Sequence, residues 1–150
     1  MTFPGSPTLR ITQPQYEAIV GHCYDGLPDE ACGLLGGPAV GPMEEPTGTI
    51  TAVFPTRNAD ASSRTYTVDG RDLLGAMRTM EGRGEVLVGC WHSHTHTEAY
   101  PSPTDVRTAA ANPNWIYVIV SLKPEHGAPV LRAYRIRDAV IAEVPVEVAG

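Results

Sequence analysis

Paired cysteines, basic clusters and long apolar runs are all missing from this 150-residue chain, and each absence excludes a class of protein. The three cysteines, Cys23, Cys32 and Cys90, form no Cys-x-x-Cys pair, which argues against a zinc ribbon, a thioredoxin-like site and a zinc nucleobase deaminase. The arginines are scattered and the formal net charge is −6, so nucleic acid is not an expected partner. No run of about 18 apolar residues occurs, so we expect no membrane-spanning helix.

The beginning of the chain also lacks a targeting signal. Its first residues read MTFPGSP, without the basic and then apolar pattern of a signal peptide, so we expect a cytoplasmic protein. The hydrophobic content of 42% and the charged content of 19% are typical of a globular protein. The length predicts a single domain over residues 1–150 that is large enough to bury one proper core.

Apolar periodicity and turn residues predict an α/β organisation. One helix is expected to begin after Thr12 and end at about Asp25, and a second to begin after Asp69 and end near Met80. Residues 36–48 contain several glycines and prolines and predict a loop. The predicted strands cover residues 31–35, 49–54, 64–68, 85–91, 115–121, 130–136 and 140–148.

One segment concentrates the residues that carry chemistry. His92 and His94 follow the predicted strand 85–91, and because side chains alternate along a strand, both imidazoles lie on the same face. Ser102 is a good N-cap, Pro103 suits the first helical position, and Asp105 stands where a capping box needs it. Two imidazoles and one carboxylate would give a zinc ion three protein ligands and an open position for water, as in catalytic sites.

Each of these residues also has a plainer explanation. Asp105 taken alone is better explained as a capping carboxylate, and an isolated His-x-His pair occurs by chance at exposed strand ends. His96 continues the alternation and is an alternative fourth ligand, although the loop around it favours a solvated or substrate-facing side chain. The joint occurrence of His-x-His, serine and aspartate in one short window favours a metal site.

A glutamate far upstream completes the set of candidate residues. Glu30 directly precedes the predicted buried strand 31–35, where a carboxylate is either a solvated strand end or a group aimed into a cleft. Hydrolysis at a metal needs a base that takes a proton from water and passes it to the leaving amine. Glu30 is the best candidate for that base.

Together these residues resemble the motif of the JAMM (MPN+) zinc metallopeptidases, which has an upstream glutamate, then His-x-His, seven residues, serine, two residues and aspartate. Seven residues separate His94 from Ser102, and two separate Ser102 from Asp105. The segment EACGLLG, which begins at Glu30, resembles the first strand of that family, and the resemblance extends over residues 9–144. Thr95 departs from the family pattern, in which proline is common.

The resemblance implies a fold and a set of roles. The implied fold is a curved mixed β-sheet flanked by helices, akin to the deaminase architecture, with zinc at the sheet edge. One Zn²⁺ per chain would be bound by His92, His94 and Asp105. Glu30 would hold and deprotonate the water, and Ser102 would donate a hydrogen bond to the developing oxyanion.

The compact chain resembles the prokaryotic branch of the family, because residues 56–63 are too few for the large ubiquitin-gripping insertion of eukaryotic deubiquitinases. The implied partner is a ubiquitin-like β-grasp sulfur-carrier protein with a C-terminal Gly-Gly tail, from which cysteine is released in cysteine biosynthesis. The alternatives are an isopeptidase that removes a ubiquitin-like modifier from lysine and a non-catalytic MPN scaffold. We expect the tail to pair like a strand beside the metal, near Arg57, Asn58 and residues 63–66.

Overall fold

The computed structural model describes residues 7–41 and 47–150. Within these residues, eight strands and three α-helices are joined by short connections, one of which contains a 3-10 turn at Pro124–His126. The elements are β1 (Leu9–Thr12), α1 (Gln13–Asp25), β2 (Cys32–Pro38), β3 (Ala52–Thr56), α2 (Gly70–Arg83), β4 (Glu85–His94), α3 (Pro103–Ala109), β5 (Ile116–Ser121), β6 (Val130–Arg137), β7 (Val140–Val144) and β8 (Val146–Ala149).

Six of the strands form one mixed sheet in the order β3-β2-β4-β5-β6-β7. Strands β4 and β5 run parallel, and all other neighbours in this sheet are antiparallel. The predicted α/β fold with a mixed sheet is therefore confirmed. Strand β4 is paired on both sides, so its backbone is held rigidly. His92 and His94 lie at its carboxyl-terminal end, at the edge of the sheet.

Both faces of the sheet are covered. Helix α1 packs on one face together with β1 and β8, which form a separate two-stranded parallel sheet. Helices α2 and α3 pack on the other face, where Met80 and Ala109 contact a core cluster that includes Ile119. Each face therefore buries its own apolar cluster, as a helix-covered sheet requires.

A bulge in β4 decides which face its last residues occupy. Leu35 pairs with Gly89 and Gly36 pairs with Leu87, so Val88 is an extra residue between them. Val88 belongs to the core on the α1 side, whereas Cys90 belongs to the core on the side of α2 and α3. Alternation from Cys90 then directs His92 and His94 to the face on which α3 lies.

The helix starts follow the predicted capping residues. Thr12 and Gln15 form a capping box at α1, and the side chain of Asp69 accepts hydrogen bonds from two backbone N–H groups at the start of α2. Ser102 caps α3. The predictions of these three starts are confirmed, because each capping side chain satisfies backbone donors that the helix itself leaves without partners.

Several predicted strands differ from the observed ones. Residues 64–68 form no strand, because the side chain of Asn58 bonds the backbone of Thr65 and Thr67 and holds the segment as a loop. The predicted strand 140–148 breaks at Pro145, and its second half pairs in parallel with β1, which was not predicted. The predicted strand 49–54 is shifted toward the C terminus, since β3 covers Ala52–Thr56.

The glycine-rich segment after Leu35 was also only partly predicted. Strand β2 continues through Gly36 and Gly37 to Pro38, so the predicted loop over residues 36–48 begins too early. Residues 42–46 of that loop, and residues 1–6 of the N-terminal segment, lie outside the described residues. No helix in the described part of the chain is long and apolar enough to cross a membrane.

Candidate metal centre

Three side chains with metal-binding chemistry converge between β4 and α3. The His92 Nε2 and His94 Nε2 atoms lie 3.1 Å apart. Each of them approaches Asp105 Oδ2, His92 at 3.1 Å and His94 at 3.0 Å. This trio is the one group of ligand-type side chains in residues 7–41 and 47–150 whose donor atoms gather closely enough to hold a metal ion.

Strand pairing places the two histidines. His92 pairs with Cys32 on one side and with Ile119 on the other, and His94 pairs with Ser121. Ser93 points to the opposite face, where its Oγ accepts a hydrogen bond from the Ala31 N–H at 2.8 Å. The predicted alternation is therefore observed: both imidazoles share one face, and the residue between them ties β4 to the start of β2.

Close packing behind the site fixes β4 against β2. Trp91 is completely buried on the α1 side. Its indole lies directly against Gly33, where an added Cβ would stand only 2.1 Å from Trp91 Cη2. Glycine at position 33 is therefore needed for the ring to fit, and the ring in turn fills the space under the two histidines' strand.

The start of α3 supplies the carboxylate. Ser102 Oγ accepts a hydrogen bond from the Asp105 N–H at 3.0 Å, and Asp105 Oδ2 accepts one from the Ser102 N–H at 2.9 Å. The predicted capping box is thus formed. The same Oδ2 atom faces both imidazoles, so the capping explanation of Asp105 and the metal-site explanation are compatible.

The hydrogen bond at His94 Nδ1 determines which nitrogen of that ring has a free lone pair toward Asp105 and His92. His94 Nδ1 lies 2.8 Å from the Glu98 carbonyl oxygen, and because a carbonyl only accepts, Nδ1 carries the proton. In the neutral ring, His94 Nε2 is then an acceptor that faces a carboxylate oxygen and a second imidazole nitrogen. Such an arrangement is repulsive unless a proton or a cation lies between these atoms, which is what a metal site provides.

The electrostatics of two of the three groups, His92 and Asp105, favour the charge states that bind a metal. Burial lowers the pKa of His92, so its neutral form is favoured. Burial opposes the ionisation of Asp105, but hydrogen bonds with His92 and His94 hold the pKa of its carboxyl well below the usual range. Burial also disfavours charge on His94, yet its bonds with Asp105 and with the Glu98 carbonyl raise its pKa overall.

Glu30 lies beside this trio. The antiparallel pairing of Cys32 with His92 and the bond from the Ser93 N–H to the Ala31 carbonyl place residue 30 opposite His94. The side chain is 5% exposed, and its Oε1 has no hydrogen-bond partner among the described residues. Burial raises the pKa of Glu30 to about 8, against attraction from His94 and with smaller increases from Asp105 and Asp60. The solvated alternative for this carboxylate is therefore wrong.

Two residues of the expected tail-binding region also help to build the site itself. The Tyr66 ring stacks on the His92 ring, with centroids 4.2 Å apart and planes inclined by 17°. His92 Nδ1 has no hydrogen-bond partner within the described ranges, so the stacking and the contact of Nε2 with Asp105 orient the ring. Asn58 Nδ2 donates to the carbonyls of Glu30 and Thr65, each at 2.9 Å. The strand predicted over residues 64–68 gives no indication of the contact between Tyr66 and His92.

A cleft of about 360 Å³ opens over the site. Glu30, His94 and Ser102 all line it, so three of the five residues implicated by the motif face one solvent-accessible space. His96 is exposed at this cleft and is not part of the convergent trio, which favours the solvated or substrate-facing alternative over a fourth ligand. Residues 63 and 64 of the expected tail-binding region also line the cleft.

Comparison with known proteins agrees with this geometry. Residues 12–137 match the family model described as prokaryotic homologs of the JAB domain. The chain therefore belongs to the prokaryotic JAB (JAMM) domain family. The resemblance inferred from the motif is confirmed at the level of the family.

Individual relatives and a solved structure are similar to this chain over most of its length. The chain is 43% identical to the CysO-cysteine peptidase of Mycobacterium tuberculosis over 93% of its own length and 90% of the relative's. It is 31% identical to the desampylase of Haloferax volcanii, over 77% of this chain and 82% of that one. A solution structure of a protein from Desulfitobacterium hafniense superposes with a TM-score of 0.79 and 34% identity, covering 93% of this chain and 91% of the other.

A more distant structure supports the fold alone. The JAB1/MPN domain protein from Archaeoglobus fulgidus superposes with a TM-score of 0.56 at 17% identity, over 91% of this chain and 97% of that one. The mixed sheet with its covering helices is therefore shared well beyond the range of clear sequence similarity.

Proposed function

We propose that this protein is a zinc-dependent peptidase that hydrolyses the amide bond after the C-terminal Gly-Gly of a ubiquitin-like sulfur-carrier protein and releases cysteine. The observation that carries the proposal is the convergence of His92, His94 and Asp105 beside a cleft that Glu30, His94 and Ser102 line. The 43% identity with a CysO-cysteine peptidase over nearly the whole chain supports the choice of substrate.

The donor set fits one zinc ion per chain. Two imidazole nitrogens and one carboxylate oxygen are the ligands that catalytic zinc sites use, and the face toward the cleft leaves room for a fourth ligand. The backbone bond from Ser102 to Asp105, and that from His94 to the Glu98 carbonyl, orient two of the three ligands from outside. Zinc, when bound, polarises the scissile carbonyl and lowers the pKa of water.

Glu30 is proposed as the proton carrier. Its carboxylate takes a proton from the attacking water at Oε1 or Oε2 and gives that proton to the nitrogen of the leaving cysteine. Burial raises its pKa to about 8 in the metal-free protein, and a bound cation would lower it toward neutrality, where a group both accepts and donates protons effectively. The Asn58 side chain donates to the Glu30 carbonyl and the Ser62 carbonyl accepts the Glu30 N–H, so the backbone that carries this carboxylate is fixed.

Ser102 is proposed as the oxyanion donor. Its Oγ accepts the Asp105 N–H through a lone pair, which leaves its own O–H free to donate to an oxygen in the cleft. Helix capping and transition-state stabilisation therefore use different parts of one hydroxyl. The two roles compete as explanations of the sequence, but the capping geometry is compatible with both.

A second function, removal of a ubiquitin-like modifier from lysine, is favoured by one observation. The desampylase of Haloferax volcanii is 31% identical to this chain over 77% of its length. Because the reacting residues would be the same for an amide and an isopeptide bond, the two functions differ only in the group that leaves with the scissile nitrogen.

The experiment is incubation of zinc-loaded protein with two substrates, a carrier that ends in Gly-Gly-Cys and the same carrier joined through Gly-Gly to a lysine side chain, followed by intact mass. We expect loss of the terminal cysteine to be the faster reaction. Faster cleavage at lysine would replace the first proposal by the second. No cleavage of either substrate, with zinc bound, would refute both.

A further inference from the structure

We propose that Arg64 is a specificity residue whose guanidinium binds the free α-carboxylate of the residue that is released. This inference rests on the proposed function and deepens it. In this inference, one side chain determines whether the enzyme prefers a terminal amino acid or a lysine-linked protein as its leaving group.

The first observation is the position of Arg64. It lines the same cleft as Glu30, His94 and Ser102, and it is the one lysine or arginine among the residues that line this cleft. The cleft otherwise presents hydroxyl groups, imidazoles and a carboxylate. A guanidinium here is therefore the group that matches an anion brought in by the substrate.

The second observation is that the guanidinium has no internal partner. Arg10, Arg57 and Arg83 each lie within 4 Å of a carboxylate of the protein. The Arg64 side chain makes no hydrogen bond or ion pair with any residue in the described part of the chain; its backbone N–H alone is bonded. An arginine that is held at the cleft without a partner of its own is available to a substrate.

The third observation is that the backbone of Arg64 is tied to both walls of the cleft. Ser62 Oγ accepts the N–H of Arg64 at 3.0 Å, and the Ser62 carbonyl accepts the Glu30 N–H at 2.8 Å. Thr95 Oγ1 donates to the Ser63 carbonyl at 3.3 Å, one residue beyond His94. The root of the arginine is thus fixed relative to the proposed base and to one proposed metal ligand.

The chemistry of the leaving group supplies the ligand. When a single amino acid follows the scissile bond, its carboxylate carbon is two bonds from the scissile nitrogen and carries a full negative charge. A guanidinium that lines the cleft offers such a carboxylate two parallel N–H donors as well as a positive charge. A lysine side chain in an isopeptide presents no carboxylate at this distance, so Arg64 favours the terminal residue.

The test compares a carrier ending in Gly-Gly-Cys with the same carrier ending in Gly-Gly-Cys carboxamide, which removes the charge and keeps the shape. The ratio of kcat/KM for the acid to kcat/KM for the amide is measured in the wild type and in Arg64→Ala, Arg64→Lys and Arg78→Ala. Arg78 is an exposed arginine of α2 outside the cleft and serves as the control.

We expect the wild-type ratio to exceed one by roughly tenfold or more, as a charge-assisted hydrogen bond implies. It should fall toward one in Arg64→Ala, be partly restored in Arg64→Lys and stay at the wild-type value in Arg78→Ala. An equal loss on both substrates in Arg64→Ala would assign the residue to the carrier tail or to loop structure and overturn the inference. An unchanged ratio would do the same. Failure of the zinc-loaded wild type on both substrates would instead refute the proposed function.

Discussion

The buried carboxylate of Glu30 makes the stability of the metal-free protein depend on pH in a direction that most carboxylates do not. The pKa of Glu30 is raised from 4.5 to about 8 in the folded protein, mainly by burial. Between these values the folded state retains a proton that the unfolded chain releases. The free energy of unfolding contributed by this group is therefore fully present below pH 4.5 and is lost as pH rises through 8.

The size of the effect follows from the shift. The full change from 4.5 to about 8 corresponds to on the order of 5 kcal/mol, at about 1.4 kcal/mol per pH unit. Glu30 lines two open clefts, so the dielectric around its carboxylate is higher than in a closed core, and we expect about 2 kcal/mol between roughly pH 5 and pH 8.5. Glu30→Gln removes the titration while keeping the shape of the side chain.

The assay is urea unfolding of chelator-treated wild type and Glu30→Gln across this pH range. The wild-type free energy minus that of the variant should fall by about 2 kcal/mol as pH rises, and other titrating groups cancel in the difference. Zinc should flatten the profile, because a nearby cation stabilises the carboxylate. A difference that is constant with pH in the metal-free proteins would refute the burial argument for Glu30.

Three further substitutions test other parts of the site. Asp105→Asn should lower zinc affinity at least about tenfold by equilibrium dialysis, since it removes the charged ligand; full zinc retention would show that Asp105 is not a ligand. Ser102→Ala should reduce kcat by about 10²–10³-fold and the free energy of unfolding by about 1 kcal/mol. Ser102→Thr should keep the helix cap. If Ser102→Ala lowers stability and leaves kcat unchanged, Ser102 has only the capping role. Gly33→Ala should lower the free energy of unfolding by more than about 3 kcal/mol, because its Cβ would meet Trp91 Cη2 at 2.1 Å. Gly21 of α1 faces open space, so Gly21→Ala is the control and should leave stability unchanged or raise it. Thermal unfolding of both variants measures the difference.

The helix starts and the metal motif were predictable because their signals are local. Thr12, Asp69 and Ser102 each cap the helix that immediately follows, so a few residues of sequence contain the whole interaction. The spacing of His92, His94 and Asp105 spans a strand end, a loop and one helical turn. Their convergence follows from alternation on β4 and from the capping box on α3.

The missed elements depend on partners that are distant in the chain. Strand β1 has only four residues and is stabilised by β8 at the other end of the chain, so no local pattern identifies it. Polar and apolar residues alternate over 64–68 as in a strand. However, the Asn58 side chain hydrogen-bonds the Thr65 carbonyl and the Thr67 N–H, and the Tyr66 ring stacks on His92. The burial of Glu30 likewise depends on the fold, since its neighbours His94 and Asp105 come from β4 and α3.

The most direct test of the central claim is a zinc titration of chelator-treated protein, with release of cysteine from a Gly-Gly-Cys carrier measured at each point. We predict that activity rises in proportion to bound zinc and saturates at one zinc per chain, and that Asp105→Asn needs at least about tenfold more zinc to regain any activity. Cysteine release by the metal-free protein at the full rate would contradict a zinc site at His92, His94 and Asp105.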